Sequence, residues 1–134
     1  MIDVEVLGAP AAPDAPSTRE IDALCRASAA RLGVADGHVA VEFADVERIS
    51  ELNLAHRGKS GPTDVLSFPI DGPGPAPAGG PPREIGDIVI CPAHTVDLRE
   101  AVVHGMLHLL GMDHESDGGE MLALQEEILA EAGR

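Results

Sequence analysis

Residues 104–114 read HGMLHLLGMDH, and this run decides how the C-terminal half of the chain is built. Apolar residues surround two histidines four apart, the spacing that puts His104 and His108 on one face of a helix. Gly111 is a residue able to take the left-handed conformation that stops a helix and turns the chain back. His114 then arrives from outside the helix. Three imidazoles brought together in this way form a tetrahedral zinc site with one position open, the arrangement of a catalytic centre rather than a sealed structural one. A single histidine on an apolar helix is usually a hydrogen-bonded core or surface residue. Three of the chain's six histidines, set around a helix-stopping glycine, point to a metal instead. Imidazole also suits nickel and copper, and three histidines favour one zinc per chain.

The spacing matches the H-E-x-x-H-x-x-G-x-x-H pattern of the metzincin proteases with one departure. The residue after the first histidine is Gly105, where a protease carries the glutamate that takes the proton from the attacking water. The metal cage is kept and the peptide-hydrolysis base is missing. Hydrolysis then has to rely on the metal's effect on water, on another base, or on the substrate's own nucleophile.

Outward from this run, the apolar period predicts a helix from about Thr95 to Leu110. Upstream, Ile85–Cys91 reads as a strongly apolar strand, and Val65–Phe68 as a strand ended by Pro69. Between them Asp71–Pro82, DGPGPAPAGGPP, has no core-forming residues and is expected to be a mobile loop. Residues 2–6 and His38–Ala44 alternate as strands do. Ser17 and Glu20 have the spacing of a capping box, opening a helix to about Leu32 with Ile21, Leu24, Cys25 and Leu32 inward. Ser28 falls on the same face, and Gly33 is the stop. Asp45 caps a second helix to about Ala55, with Ile49 and Leu52 inward. Asp117 and Glu120 repeat the capping-box spacing before a last helix whose inward residues are Met121, Leu124 and Ile128. The fold class this implies is α+β, a single mixed sheet covered by helices, with the zinc-bearing helix near the C-terminus and residues 1–134 forming one domain.

Apolar residues make up 44% of the chain, yet Phe43 and Phe68 are its only aromatics, so the core must be aliphatic. Cys25 and Cys91 form no close-spaced motif and are expected to be buried free thiols. The opening MIDVEV has neither the basic nor the apolar region of a signal peptide, and no stretch is long enough to span a membrane, so a cytoplasmic location is expected. The formal net charge of −14 repels polyanions and attracts basic partners, which argues against strong autonomous binding to naked nucleic acid.

A second constellation lies at 52–69, LNLAHRGKSGPTDVLSFP. Arg57, Gly58 and Lys59 fall just past a helix end, and Lys59 is the only lysine of the chain. Cations at a helix C-terminus are ordinarily explained by the helix dipole. The other reading is a phosphate site, since an arginine fork matches phosphate oxygens and the glycines allow close approach. Taken in order, LNLAHRGKSGPTDVLSFP, GDIVICP at 86–92 and HGMLHLLGMDH resemble the YbeY-type endoribonuclease family of ribosomal RNA maturation factors. The resemblance runs over roughly residues 45–115. It implies zinc on His104, His108 and His114 and single-strand-specific endonucleolytic cleavage of RNA. It also implies a role at the 3′ end of small-subunit (16S) ribosomal RNA and in ribosome quality control. The family's functional arginine falls on Arg57, which makes Arg57 the expected catalytic residue. Arg57 and Lys59 together are then expected to hold phosphates. Two departures stand out. Met112 occupies a position where the family usually has an aromatic, and the stretch from Cys91 to His104 is short.

The expected partners are ribosomal RNA, the small ribosomal subunit with its basic ribosomal proteins, and a ribosome-assembly GTPase; no membrane is involved. Asp113 and Glu115 are candidates to orient a ligand histidine from outside the metal shell, with helix capping or plain surface chemistry as the competing explanation. Attack by the RNA 2′-hydroxyl would leave a 2′,3′-cyclic end. Two other functions fit the same residues: a zinc hydrolase of another substrate, and a ribosome-assembly factor whose zinc mainly braces the C-terminal helices.

Overall fold

The computed structural model describes residues 1–10, 14–71, 80 and 83–133. The proline- and glycine-rich stretch 71–82 therefore lies mostly outside the described residues. Four strands, β1 (Ile2–Leu7), β2 (Gly37–Phe43), β3 (Val65–Pro69) and β4 (Glu84–Ile90), form one sheet in the order β1-β2-β4-β3. β1 pairs parallel with β2 and β2 parallel with β4, while β3 runs antiparallel to β4. The sheet is mixed, as expected.

Among the described residues four α-helices flank it: α1 (Thr18–Arg31), α2 (Val46–Arg57), α3 (Leu98–Leu109) and α4 (Glu120–Glu131). α1, α3 and α4 share one face, where Ile21, Val39, Val41, Ile88, Met106 and Ile128 belong to the main core. Fully burying each such side chain contributes roughly 1.5–3 kcal/mol. α2 alone takes the opposite face, setting Ile49 among Leu66, Val89 and Cys91. β4 lies between β2 and β3 and is buried on both faces, which is why its sequence is apolar almost throughout.

α1 runs from the Ser17 cap, and Ser28 on its inner face donates its hydroxyl to the Leu24 carbonyl. Ser17 accepts from the Glu20 amide as expected, but the reciprocal half of the capping box is absent. The Glu20 carboxylate turns instead to Arg99 of α3. The last helix starts later than expected, at Glu120 rather than just after Asp117. Asp117 still caps it, accepting from Met121, while Glu120 bonds back to the Gly118 amide. α3 likewise begins at Leu98, capped by Asp97, because Pro92–His94 form a separate short 3₁₀ turn. α2 continues to Arg57, two residues further than expected, and Gly58 in the left-handed conformation ends it. Cys25 and Cys91 are both free and buried, and burial pushes the Cys25 thiol up to about 12.

Candidate metal centre

α3 is apolar and buried on nearly every side, with Val102, Val103, Met106 and Leu107 fully enclosed. A helix that is hydrophobic all round belongs in a core. Its one partly open stripe carries His104 and His108, a single turn apart. The helix stops where the sequence says it must. Gly111, at φ +100°, donates to the His108 carbonyl, and Met112 donates to the Leu107 carbonyl. These are the two bonds of a Schellman motif, and they swing the chain back so that His114 meets the other rings. Ring centroids lie 4.7 Å apart for His104 and His108, 5.0 Å for His104 and His114, and 5.3 Å for His108 and His114.

The hydrogen bonds fix which nitrogens are free. The Met112 carbonyl 3.0 Å from His108 Nδ1 can only accept, so Nδ1 carries the proton. The Gln125 amide oxygen, 2.9 Å from His104 Nδ1, sets the same tautomer there. Both Nε2 atoms are then bare acceptors, facing each other at 3.2 Å. Two lone pairs in that position repel unless a cation lies between them. The spacing suits one, because nitrogens about 2.0–2.1 Å from a tetrahedral zinc lie about 3.3 Å from one another. His114 brings a third ring nitrogen, the three ligand atoms lying within 4.8 Å of each other. Its Nδ1 is buried without a hydrogen-bond partner among the described residues, as expected of an atom whose partner is a metal. Burial, and then the neighbouring His104, hold the His108 imidazole below its ordinary value. That keeps it neutral, the form that binds metal. The residues present fit a metal ion.

The three rings line one wall of a cleft of about 1010 Å³. Arg57 and His56, from the end of α2, line the same cleft, as do the β3 residues from Val65 to Pro69. Asp113 and Glu115 also line the cleft, but neither touches a ring nitrogen. Asp113 accepts from the Glu115 amide, and the orienting bonds come from Gln125 and Met112 instead. Lys59 is exposed beyond the left-handed Gly58 and does not line the cleft. Sequence reasoning missed Gln125. Its signal was a polar residue four after Met121 on the buried stripe of α4, where it is 4% exposed.

Gly105 shows why no glutamate follows the first histidine. A Cβ there would stand 2.6 Å from Ile88 Cγ2 of β4, so this side of α3 packs directly on the sheet. A side chain at 105 would run into the core.

Fold and site together define a class: a small α+β protein with three histidines placed to hold a metal ion and an arginine lining the same open cleft. The model of the family described as endoribonuclease YbeY matches residues 14–133, and the chain belongs to that family. A protein named endoribonuclease YbeY from Rubrobacter xylanophilus is 45% identical over 96 residues, covering 69% of this chain and 66% of the relative. Its namesake in Alcanivorax borkumensis is 37% identical, covering 97% of this chain and 82% of the relative. The namesake in Brevibacillus brevis is 35% identical over 156 aligned positions, covering 99% of this chain and 98% of the relative. This chain has 134 residues, so it lacks residues that the relative has. Among solved structures, the solution structure of TM1509 from Thermotoga maritima superimposes with a TM-score of 0.56 at 26% identity, covering 96% of this chain and 88% of that one.

Proposed function

We propose that this protein is a zinc-dependent, single-strand-specific endoribonuclease. Its substrate is the 3′ end of small-subunit (16S) ribosomal RNA, and it serves ribosome quality control, with residues 1–134 acting as one domain. The observation that carries the reading is that three convergent histidines and Arg57 line one cleft of about 1010 Å³. Family membership supports the same substrate class.

When bound, the metal supplies Lewis acidity toward a phosphate oxygen and lowers the pKa of water toward about 7. His104, His108 and His114 hold it. Gln125 and Met112 keep the protons of His104 and His108 on Nδ1, so that Nε2 stays free to ligate. Arg57 donates to the charge that builds on the phosphate as the bond breaks, where preorganised donors act most strongly. Lys59, on the exposed turn beyond Arg57, holds a neighbouring phosphate of the strand. Gly105 leaves no base at the protease position, so the nucleophile is an activated water or the RNA 2′-hydroxyl. The 2′-hydroxyl route yields a 2′,3′-cyclic phosphate and a 5′-hydroxyl, and water yields a linear phosphate. End-group analysis of the products separates the two.

The partners follow from charge. At −14 the protein gains little from long-range attraction to RNA, so delivery by the small ribosomal subunit, its basic proteins and a ribosome-assembly GTPase fits better than unaided capture. Among the described residues no helix is long and apolar enough to cross a membrane, and the cytoplasm is the proposed location. The test is cleavage of a 16S ribosomal RNA 3′-end fragment by zinc-loaded and chelator-stripped protein. Cleavage confined to the loaded sample and to single-stranded segments is expected. Equal cleavage in both samples would remove the metal from the mechanism.

A further inference from the structure

A second cavity lies on the sheet face that α2 covers only in part, and its volume is about 320 Å³. That is at the lower end of small-molecule sites, which run from about 300 to 1,000 Å³. Its floor is the sheet, to which Leu7 of β1, Ala40 of β2 and Val89 of β4 contribute. Its wall is a stripe of α2 at four-residue spacing: Arg48, Leu52 and His56. Phe68 of β3 closes one end, its ring 4.8 Å from the His56 ring and edge-on to it at 66°.

Two features give the cavity a chemistry. It carries two carboxylates, Glu42 and Asp87, which when ionised only accept hydrogen bonds. Glu42 is engaged by Arg48 Nε at 3.3 Å. Asp87 accepts no hydrogen bond among the described residues. It is exposed, so its oxygens are open to a ligand that donates hydrogen bonds, while desolvation, and then the Glu84 carboxylate, push its pKa up. The second feature is position: His56 and Phe68 line both this cavity and the metal-bearing cleft. A chain with a phosphate in the cleft can drop the attached base over the His56–Phe68 pair.

We infer that this cavity is a base subsite taking an unstacked guanine of single-stranded RNA next to the phosphate in the cleft. The inference rests on the ribonuclease reading above. A base has the flat apolar faces that Ala40, Val89 and Phe68 require, and carries no charge for the carboxylates to repel. Guanine presents N1–H and an N2 amine side by side, a pair of donors matched to the two oxygens of one carboxylate. Uracil offers one such donor. A base held in a duplex cannot leave its stack to reach the cavity, which gives single-strand preference a structural cause.

The chain contains only Phe43 and Phe68, so labelling with 4-fluorophenylalanine gives two fluorine signals. Phe43 belongs to the main core and serves as the reference. Guanosine and uridine are the probes, because nucleosides carry no phosphate for Arg57. Guanosine is expected to shift the Phe68 signal saturably and leave Phe43 still, with uridine about tenfold weaker, the discrimination of one bidentate pair. Ala40→Met, which fills the floor, is expected to abolish the shift, and Asp87→Asn to erase the preference for guanosine. An unmoved Phe43 signal reports that either variant remains folded. In cleavage assays with single-stranded oligonucleotides, Ala40→Met is expected to raise KM about tenfold for guanine-containing substrates. No Phe68 response in a protein that cleaves RNA would overturn the subsite and leave the ribonuclease reading standing. A guanosine-selective response in a protein that never cleaves RNA would keep the subsite and overturn the ribonuclease reading.

Discussion

Replacing Gln125 by leucine isolates the contribution of the bond that orients His104. The wild-type amide oxygen accepts from His104 Nδ1–H at 2.9 Å, and the residue is 4% exposed. Leucine keeps most of the volume and removes the acceptor. His104 is then free to move its proton to Nε2, the atom that faces His108 at 3.2 Å. Removing such an outer partner typically costs about 10–100-fold in metal affinity, which is about 1.4–2.8 kcal/mol. The apoprotein also loses a part-buried hydrogen bond, a cost of about 1–3 kcal/mol at most, incurred in full when the proton stays on Nδ1. That is survivable for a domain whose total stability is about 5–15 kcal/mol. Zinc affinity is measured by competition with a chromophoric chelator, beside circular dichroism and thermal melting of the apoprotein. Gln125→Leu is expected to be folded and to bind zinc about 10–100-fold more weakly. Gln125→Glu, which restores an acceptor and adds negative charge, is expected to recover wild-type affinity or better. Unchanged zinc affinity in folded Gln125→Leu would refute the argument, because His104 would then need no outside partner to ligate.

Three further outcomes follow from the same structure. Gly105→Ala gains helix propensity worth about 0.5–1 kcal/mol but forces a methyl within 2.6 Å of Ile88 Cγ2, an overpacking cost of about 1–3 kcal/mol. Urea unfolding is expected to show net destabilisation near 1 kcal/mol, roughly the difference between the two terms, and a more stable variant would show that α3 and the sheet separate freely. The pKa of His38 is raised, first by its hydrogen bond to Glu84, so the folded state holds that proton more tightly than the unfolded chain. The stabilisation is full below the ordinary histidine value and disappears as pH rises through the raised folded-state value. The advantage of wild type over His38→Gln in urea unfolding is therefore expected at acidic pH and lost at alkaline pH, and the reverse trend would contradict the assignment. Zinc that binds only the folded chain raises stability by about 2.7 kcal/mol at one hundred times Kd. Differential scanning calorimetry is expected to show the melting temperature climbing with zinc and returning to the apo value with chelator, and no shift would remove the site.

Most of the elements were legible because each is written in local pattern. Alternation in HVAVEFA, the Ser17 and Asp45 caps and the Gly111 stop all act through neighbours in sequence. What escaped depends on residues distant in the chain. Glu20 has capping-box spacing, yet Arg99 arrives from 79 residues away and takes its carboxylate. The order β1-β2-β4-β3, with β3 placed outside β4, follows from which apolar faces match, and no local signal carries that. The histidine cluster was readable because two members share a helix and the third follows a glycine stop. Gln125 was not, because it reaches His104 from a different helix. Asp113 and Glu115 were named for their nearness in sequence to His114, and both line the cleft, with Asp113 accepting from the Glu115 amide. Gly105 needed the structure to be understood, as the absent glutamate is explained by Ile88 on a strand and by nothing in the motif itself.

In the proposed ribonuclease the histidine cluster and Arg57 work on RNA as one site. This is tested most directly by cleavage of single-stranded ribosomal RNA with wild type and Arg57→Ala, bound zinc being quantified in both samples. Arg57→Ala is expected to stay folded, carry the same zinc, and cleave about 10²–10³-fold more slowly, the usual cost of removing one transition-state donor. Wild-type cleavage rates from zinc-loaded Arg57→Ala, or no cleavage by zinc-loaded wild type on isolated RNA and on small ribosomal subunits alike, would contradict it.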